Sequence, residues 1–274
     1  MPEYAEVRLM SDFINEVSKR SPMAEKIYAI RPNKRVISDF SRIKEPFSYI
    51  ASTKGKELKV EILDSNRKLH IITYTMGMSG GWQLLKSSDK IPSEVRLVIQ
   101  HPGYNLCLFD SRRFATWKWR DYNQGRGPDP VYEFEDFKNN VLKSSHKKIF
   151  ENPIFEILLN QTYFNGVGNY LRSTILYRLN KNPFVSAREY IENTPEIFDE
   201  VKNCCLFAYK SQRFQLENWT NKKPELAEKA KQEFVDWIFY QKGKSFTDKH
   251  GRNFWYHPQW ENEKNKMINK TNGN

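Results

Sequence analysis

The 274-residue chain reads as an α+β protein with a β-rich first half, a helical second half and a terminal β-hairpin. Three observations predict this. Before residue 110, short runs of β-branched and aromatic residues alternate with turn residues. The GRGPDP stretch at 125–130 then breaks the chain, and apolar residues beyond it recur with helical period. Residues 241–257 return to a glycine-punctuated hairpin pattern rich in aromatics. The implied boundaries are 1–130, 131–240 and 241–260, with a polar tail at 261–274 that is expected to be disordered.

The elements follow in order. Val7, Met10, Phe13, Ile14 and Val17 make one face of a helix over 5–18. KIYAI (26–30), ELKVEIL (57–63), LHIITYT (69–75), VRLVIQ and YNLCLF (104–109) are strands at the spacing of a sandwich or barrel. PIFEILLNQTYF (153–164) and YLRSTILYRL (170–179) predict two helices joined by NGVGN (165–169). That is a helix–turn–helix shape, with Asn169 placed to cap the second helix. Glycines ahead of a helix start leave backbone N–H groups open to a phosphate, although the same turn suits a plain αα-hairpin. Two further helices run over 195–210 (Ile197, Val201, Cys204 and Ala208 on one face) and 225–239 (Leu226, Ala230, Phe234 and Trp237).

Composition narrows the function. A formal charge of +11 points to a polyanionic partner, nucleic acid ahead of an anionic membrane, the alternative being a merely basic protein. No apolar run of membrane-spanning length occurs, and the first residues, charged at 3, 6 and 8, do not read as a secretory signal. Cys107, Cys204 and Cys205 form a poor disulfide framework, which fits a reducing compartment.

Four segments carry candidate chemistry. In KGKSFTDKHGRNFWYHP (242–258), Lys242, Lys244, Lys249, His250 and Arg252 stand among Phe246, Phe254, Trp255 and Tyr256. Cations for phosphates on a ring-supported hairpin suit a DNA backbone, as they also suit an ordinary solvated face. A structural zinc needs four Cys or His ligands, and this segment offers only His250 and His257, so no metal is expected. SRRFATWKW sets Arg112 and Phe114 at a strand edge, where they can fill a duplex that has lost a base. GMSGGWQL holds Met78 between glycines, and ASTKGKELKV sets Lys56 at a strand entrance. Taken singly, each also has a purely structural reading.

Taken jointly and in order, these pieces resemble the Fpg/Nei family of DNA glycosylases with AP-lyase activity. MPEYAEV looks like the family's start, and ASTKGKEL, GMSGGWQL, DSRRF and GRGPDP follow. LLNQTYFNGVGNYLRSTILYRLNKNPF is similar to its helix–two-turn–helix, and the last hairpin to its C-terminal finger. The missing cysteines point to the zincless-finger branch, that of the animal endonuclease VIII-like enzymes (type 1). The resemblance implies an N-terminal β-sandwich with flanking helices, a helical domain with the helix–two-turn–helix and a zincless hairpin finger. It implies a monomer without cofactor, acting on double-stranded DNA with oxidised bases or abasic sites, single-stranded DNA being a further candidate. A nucleus or a cytoplasmic replication site is the implied location.

By the same resemblance, Pro2 is the nucleophile once Met1 is removed, Glu3 the general acid/base, and Lys56 a positioning cation and second acid. An α-amino group titrates about 2.5 units below a lysine side chain, so an appreciable fraction of it is neutral at neutral pH. Asn169 and Arg252 would hold DNA backbone. Met78, Arg112 and Phe114 would fill the void left by an everted base. Glu6 would be a lesion-pocket acid. Lesion choice is assigned to the stretch 212–226. Tyr4 and Ala5 replace the family's Gly-Pro, and Thr174 stands where a glutamate is usual. The competing reading is a non-catalytic DNA-binding module.

Overall fold

In the computed structural model, residues 2–213 and 224–272 are described. The chain divides into two compact units, Met1–Asn123 with Gln212–Glu228, and Gln124–Ser211 with Lys229–Asn274. The first division falls just before GRGPDP rather than after it, and the hairpin belongs to the second unit rather than standing alone.

The first unit is a β-sandwich with one long helix, α1 (Tyr4–Arg20). Its strands are β1 (Lys26–Ala29), β2 (Ser48–Lys54), β3 (Glu57–Leu63), β4 (Leu69–Thr75), β5 (Gly81–Lys86), β6 (Val95–His101), β7 (Tyr104–Phe109) and β8 (Thr116–Trp119). They form two four-stranded antiparallel sheets, ordered β1-β6-β7-β5 and β2-β3-β4-β8. The register sets Leu58 against Tyr74 and Val60 against Ile72, so alternation sends one row inward from each strand. That row shares a core with Ile27, Leu97, Ile99, Leu106 and Leu108 of the other sheet and with the predicted apolar face of α1. Each such side chain contributes about 1.5–3 kcal/mol by leaving water.

Helix α1 also covers a sheet edge. The Asn15 amide donates to the Ala51 carbonyl at 2.9 Å and accepts the Ala51 N–H at 2.7 Å, and Ser18 Oγ donates to the Tyr49 carbonyl at 2.8 Å. These bonds occupy backbone groups of the edge strand β2 and fix the helix lengthwise along it. Position along β2 is therefore set by two polar side chains, not by the greasy face alone.

The second unit holds α2 (Phe134–Ser144), α3 (Ile154–Ile157), α4 (Asn169–Leu179), α5 (Ala187–Asn193) and α6 (Ile197–Ser211). Phe137 meets Phe164 and Phe198 edge to face in its core, with centroids 5.7 and 5.8 Å apart. A helix spans Pro224–Trp237, and the hairpin pairs β9 (Lys244–Thr247) with β10 (Asn253–Tyr256).

Two expectations are corrected here. The helix expected over 153–164 is the single turn α3 followed by irregular turns, because amide side chains take the backbone groups a helix would use. Gln161 Nε2 donates to the Leu159 and Val167 carbonyls at 3.0 and 2.9 Å, and its Oε1 accepts the Gly166 N–H at 3.1 Å. The tail expected to be disordered forms a helix over Glu261–Asn272. Lys264–Glu261 and Lys266–Glu263 pairs three residues apart support it, and Tyr256 Oη donates to Glu261 at 2.7 Å.

Candidate functional site

The start of α1 is built as a reciprocal cap. Glu3 is the N-cap residue, its carboxylate accepting from the Glu6 backbone, while Glu6 Oε2 accepts the Glu3 N–H at 2.8 Å. Glu3 is 1% exposed and Pro2 ahead of it is half-buried. The departures Tyr4 and Ala5 are the first helical residues, and both are buried. Glu6 closes this cap and reaches beyond it. With Oε2 on the Glu3 amide and Oε1 accepting from Gln212 Nε2 at 2.7 Å, its carboxylate holds the helix start and tethers Gln212. The stretch 212–226 assigned to lesion choice lies mostly outside the described residues.

Lys56 lies in the two-residue Gly55–Lys56 turn between β2 and β3, at a hairpin tip and directly before β3, whose entrance it was expected to occupy. Its neighbour Glu57, 1% exposed, accepts from Arg120 Nη2 at 2.7 Å and from the Asn123 N–H at 2.8 Å, which anchors the tip. Arg8 Nη1 reaches Thr53 Oγ1 at 3.4 Å, so the first turns of α1 and the Lys56 hairpin are side by side.

Met78, Arg112 and Phe114 come together in the same unit. Arg112 Nη1 stands 3.7 Å from Met78 Sδ, and the Arg112 N–H donates to Ser79 Oγ at 3.3 Å. Gly77 has φ +59°, and a Cβ there would lie 2.6 Å from Phe114 Cβ, so any side chain would force the two loops apart. Met78 is 45% and Phe114 48% exposed, large apolar groups presented to solvent beside an arginine. Asp110 organises the loop. Its carboxylate accepts from Ser79 Oγ and from the Ala115 N–H, at 2.5 and 2.6 Å.

In the second unit, Gly168 is the N-cap of α4 and Asn169 its first helical residue, so Asn169 is not the expected cap. Its Nδ2 donates to the Asn253 carbonyl at 2.9 Å, beside the exposed Arg252 on the hairpin turn. The two predicted backbone-holding residues are thereby neighbours. Thr174, in place of the usual glutamate, donates from Oγ1 to the Tyr170 carbonyl at 2.9 Å and accepts the Phe239 N–H at 3.0 Å. The hairpin packs on rings. Phe155 stacks on Phe254 at 4.9 Å, and Phe184 meets Tyr256 edge to face at 5.1 Å. His257 stacks near Tyr177, with centroids 5.9 Å apart. Among the described residues, no three His, Cys, Asp or Glu side chains are grouped to hold a metal ion. No helix among them is long and apolar enough to cross a membrane.

Sequence reasoning missed Asp110, Asp248 and Arg172 as organisers. Asp248 accepts the N–H groups of His250 and Arg252 in a D-x-x-G turn, a signal that was readable in TDKHGR. Burial pushes the Asp248 carboxyl up. The Arg252 amide and the hydrogen bond and charge of Arg172 outweigh that and hold it below the usual carboxylate range.

Endonuclease 8-like 1 of Homo sapiens is 36% identical over 208 residues, 70% of this chain and 51% of the relative. The Mus musculus protein of that name is 35% identical over 202 residues, with the same shares. The chain thus spans about half the length of the curated relatives it matches. No family model matches it. Among solved structures, Lactococcus lactis Fpg (MutM) in complex with DNA containing an oxidised pyrimidine superposes with a TM-score of 0.72 at 20% identity, covering 94% of this chain and 99% of that one. Its complex with DNA containing an abasic site gives 0.70 at 20% identity, covering 94% and 98%. At that identity the likeness shows the fold.

Proposed function

Because this chain belongs to the Fpg/Nei family, we propose that it is a bifunctional DNA glycosylase and AP lyase that works through the amine of Pro2. Its proposed substrates are oxidised pyrimidines, formamidopyrimidines and hydantoins in double-stranded DNA, with single-stranded DNA also accepted. The proposed setting is a monomer at nuclear or cytoplasmic sites of replication. The observation that carries the reading is the start of α1, where a half-buried proline directly precedes a glutamate fixed in a capping box and 1% exposed.

With Met1 removed, the neutral secondary amine attacks C1′ of the damaged nucleotide. The new C–N bond forms as the glycosidic bond breaks, and the base leaves with the electron pair. Glu3 protonates the ring oxygen, the sugar opens, and an iminium joins Pro2 to the deoxyribose. The iminium acidifies C2′, whose proton is removed as the 3′ phosphate departs, and a second elimination releases the 5′ phosphate. Lys56 positions the lesion phosphate and serves as a second acid. Asn169 and Arg252 hold the backbone, while Met78, Arg112 and Phe114 occupy the place of the everted base.

Borohydride reduction tests this. Incubation with an abasic duplex should give a covalent protein–DNA adduct that is absent from Pro2→Ala and from a protein tagged at the N-terminus. Retained binding with no adduct from any lesion would instead make the chain a non-catalytic damaged-DNA-binding protein.

A further inference from the structure

The turn that presents Arg252 is tied to α4 by a buried charge pair that the proposed chemistry does not use. Arg172 Nη1 lies 2.9 Å from Asp248 Oδ2 and 3.2 Å from the Phe155 carbonyl, and both charged side chains are wholly buried. The guanidinium also sits 5.1 Å from the centre of the Phe254 ring, on the strand that follows the turn. The other oxygen of the same carboxylate, Asp248 Oδ1, accepts the His250 N–H at 2.9 Å and the Arg252 N–H at 3.0 Å. The Asp248 N–H closes the loop by donating to the Arg252 carbonyl at 2.8 Å, and Gly251 supplies the left-handed residue with φ +72°. One oxygen of the carboxylate therefore faces helix α4 while the other lies inside the turn.

We propose that Arg172 is a positioning residue for DNA. It acts through Asp248 to hold the 248–253 turn in the shape that points Arg252 at a phosphate, and it does so without touching DNA itself. This rests on the reading of Arg252 as a backbone contact given above. A pair that served stability alone would be dispensable here, because buried ion pairs replaced together are often neutral for folding. Arg172 lies on α4 beside Asn169, whose own amide holds the Asn253 carbonyl, so one helix start fixes both ends of the turn.

The test is the double variant R172M/D248N, in which the asparagine keeps an acceptor for the turn amides while both charges go. Amide hydrogen exchange at His250 and Arg252 should speed at least about tenfold relative to wild type, a change of about 1.4 kcal/mol in local opening. Affinity for a duplex carrying a tetrahydrofuran abasic analogue should fall, with the salt slope shallower by about 0.9, one phosphate contact. Adding Arg252→Ala to this background should cost nothing more. If the double variant does not fold, R172K takes its place with the same readouts, since a point charge does not reproduce the guanidinium fork. Unchanged exchange, or an Arg252→Ala loss as large in the variant as in wild type, overturns the positioning role. Equal affinity of wild type and Arg252→Ala overturns the phosphate reading itself and this proposal with it. That outcome is distinguishable, because it appears without any change at Arg172.

Discussion

Each unit presents an arginine on a tight turn organised by one aspartate, and the two turns are anchored differently. In the sandwich, Asp110 holds the loop of Arg112 and Phe114 through a serine hydroxyl and a backbone amide. The nearby Arg96 is fully buried at the bulge where β6 slips register against β7. Its guanidinium nitrogens make no hydrogen bond among the described residues. Burial, with the charge of Arg113, holds its pKa below the ordinary arginine value against the opposing pull of Asp110. In the second unit, Asp248 meets Arg172 directly and wholly out of water. The first anchor is a carboxylate held by neutral donors, and the second is a charge pair in which each buried partner depends on the other.

The largest expected effect breaks this contrast at its strong end. Asp248→Ala leaves Arg172 buried without its counter-charge and should cost about 3–5 kcal/mol, measured by denaturant unfolding. Asp110→Ala removes weaker partners and should cost about 1–3 kcal/mol. The reverse order would refute the contrast.

Acid should separate the units next. Burial pushes His101 down to about 4, so between its ordinary value near 6.5 and that point the unfolded chain binds a proton that the folded one refuses. The contribution of His101 to the sandwich is therefore complete above 6.5 and lost as pH falls toward 4. Asp248, held below the carboxylate range, contributes fully above the ordinary carboxylate pKa and loses its contribution only at lower pH. Hydrogen exchange followed across pH should show the sandwich weakening first; a hairpin that opens at higher pH than the sandwich would contradict this.

Smallest in stability but not in function are Met78→Ala and Phe114→Ala. Both side chains are about half exposed, so unfolding free energy should move by no more than about 0.5 kcal/mol. Affinity for an abasic duplex should fall by about 1–3 kcal/mol where a ring or thioether replaces a stacked base. Unaltered affinity in titrations would remove both from the interface.

Strands written as short runs of β-branched and other apolar residues between turn residues were legible from sequence: β3, β4 and β7 run over the residues expected. β2 escaped because its second half, Ser52-Thr53-Lys54, buries nothing fully, and β5 because only Trp82 points into the core. The short segments holding Glu3, Met78, Arg112 and Asn169 could be singled out from sequence as motifs; that Arg112 lies against Met78, 34 residues away, and that Asn169 holds Asn253 needed the structure. The Arg172–Asp248 pair was not legible, since it joins residues 76 apart that no periodicity links. The capping-box part of Glu6 follows from its place three residues after the N-cap Glu3, a signal that was readable in the sequence.

The most direct test of the central claim, that the chemistry sits at the start of α1 while the second unit grips, is to locate the covalent bond. After borohydride reduction with an abasic duplex, nuclease and protease digestion followed by mass spectrometry should place the deoxyribose remnant on the amine of Pro2. Arg252→Ala should reduce the yield and leave the site unchanged. A remnant on Lys56 or another lysine, or none on any residue while the protein still binds the duplex, would contradict the account.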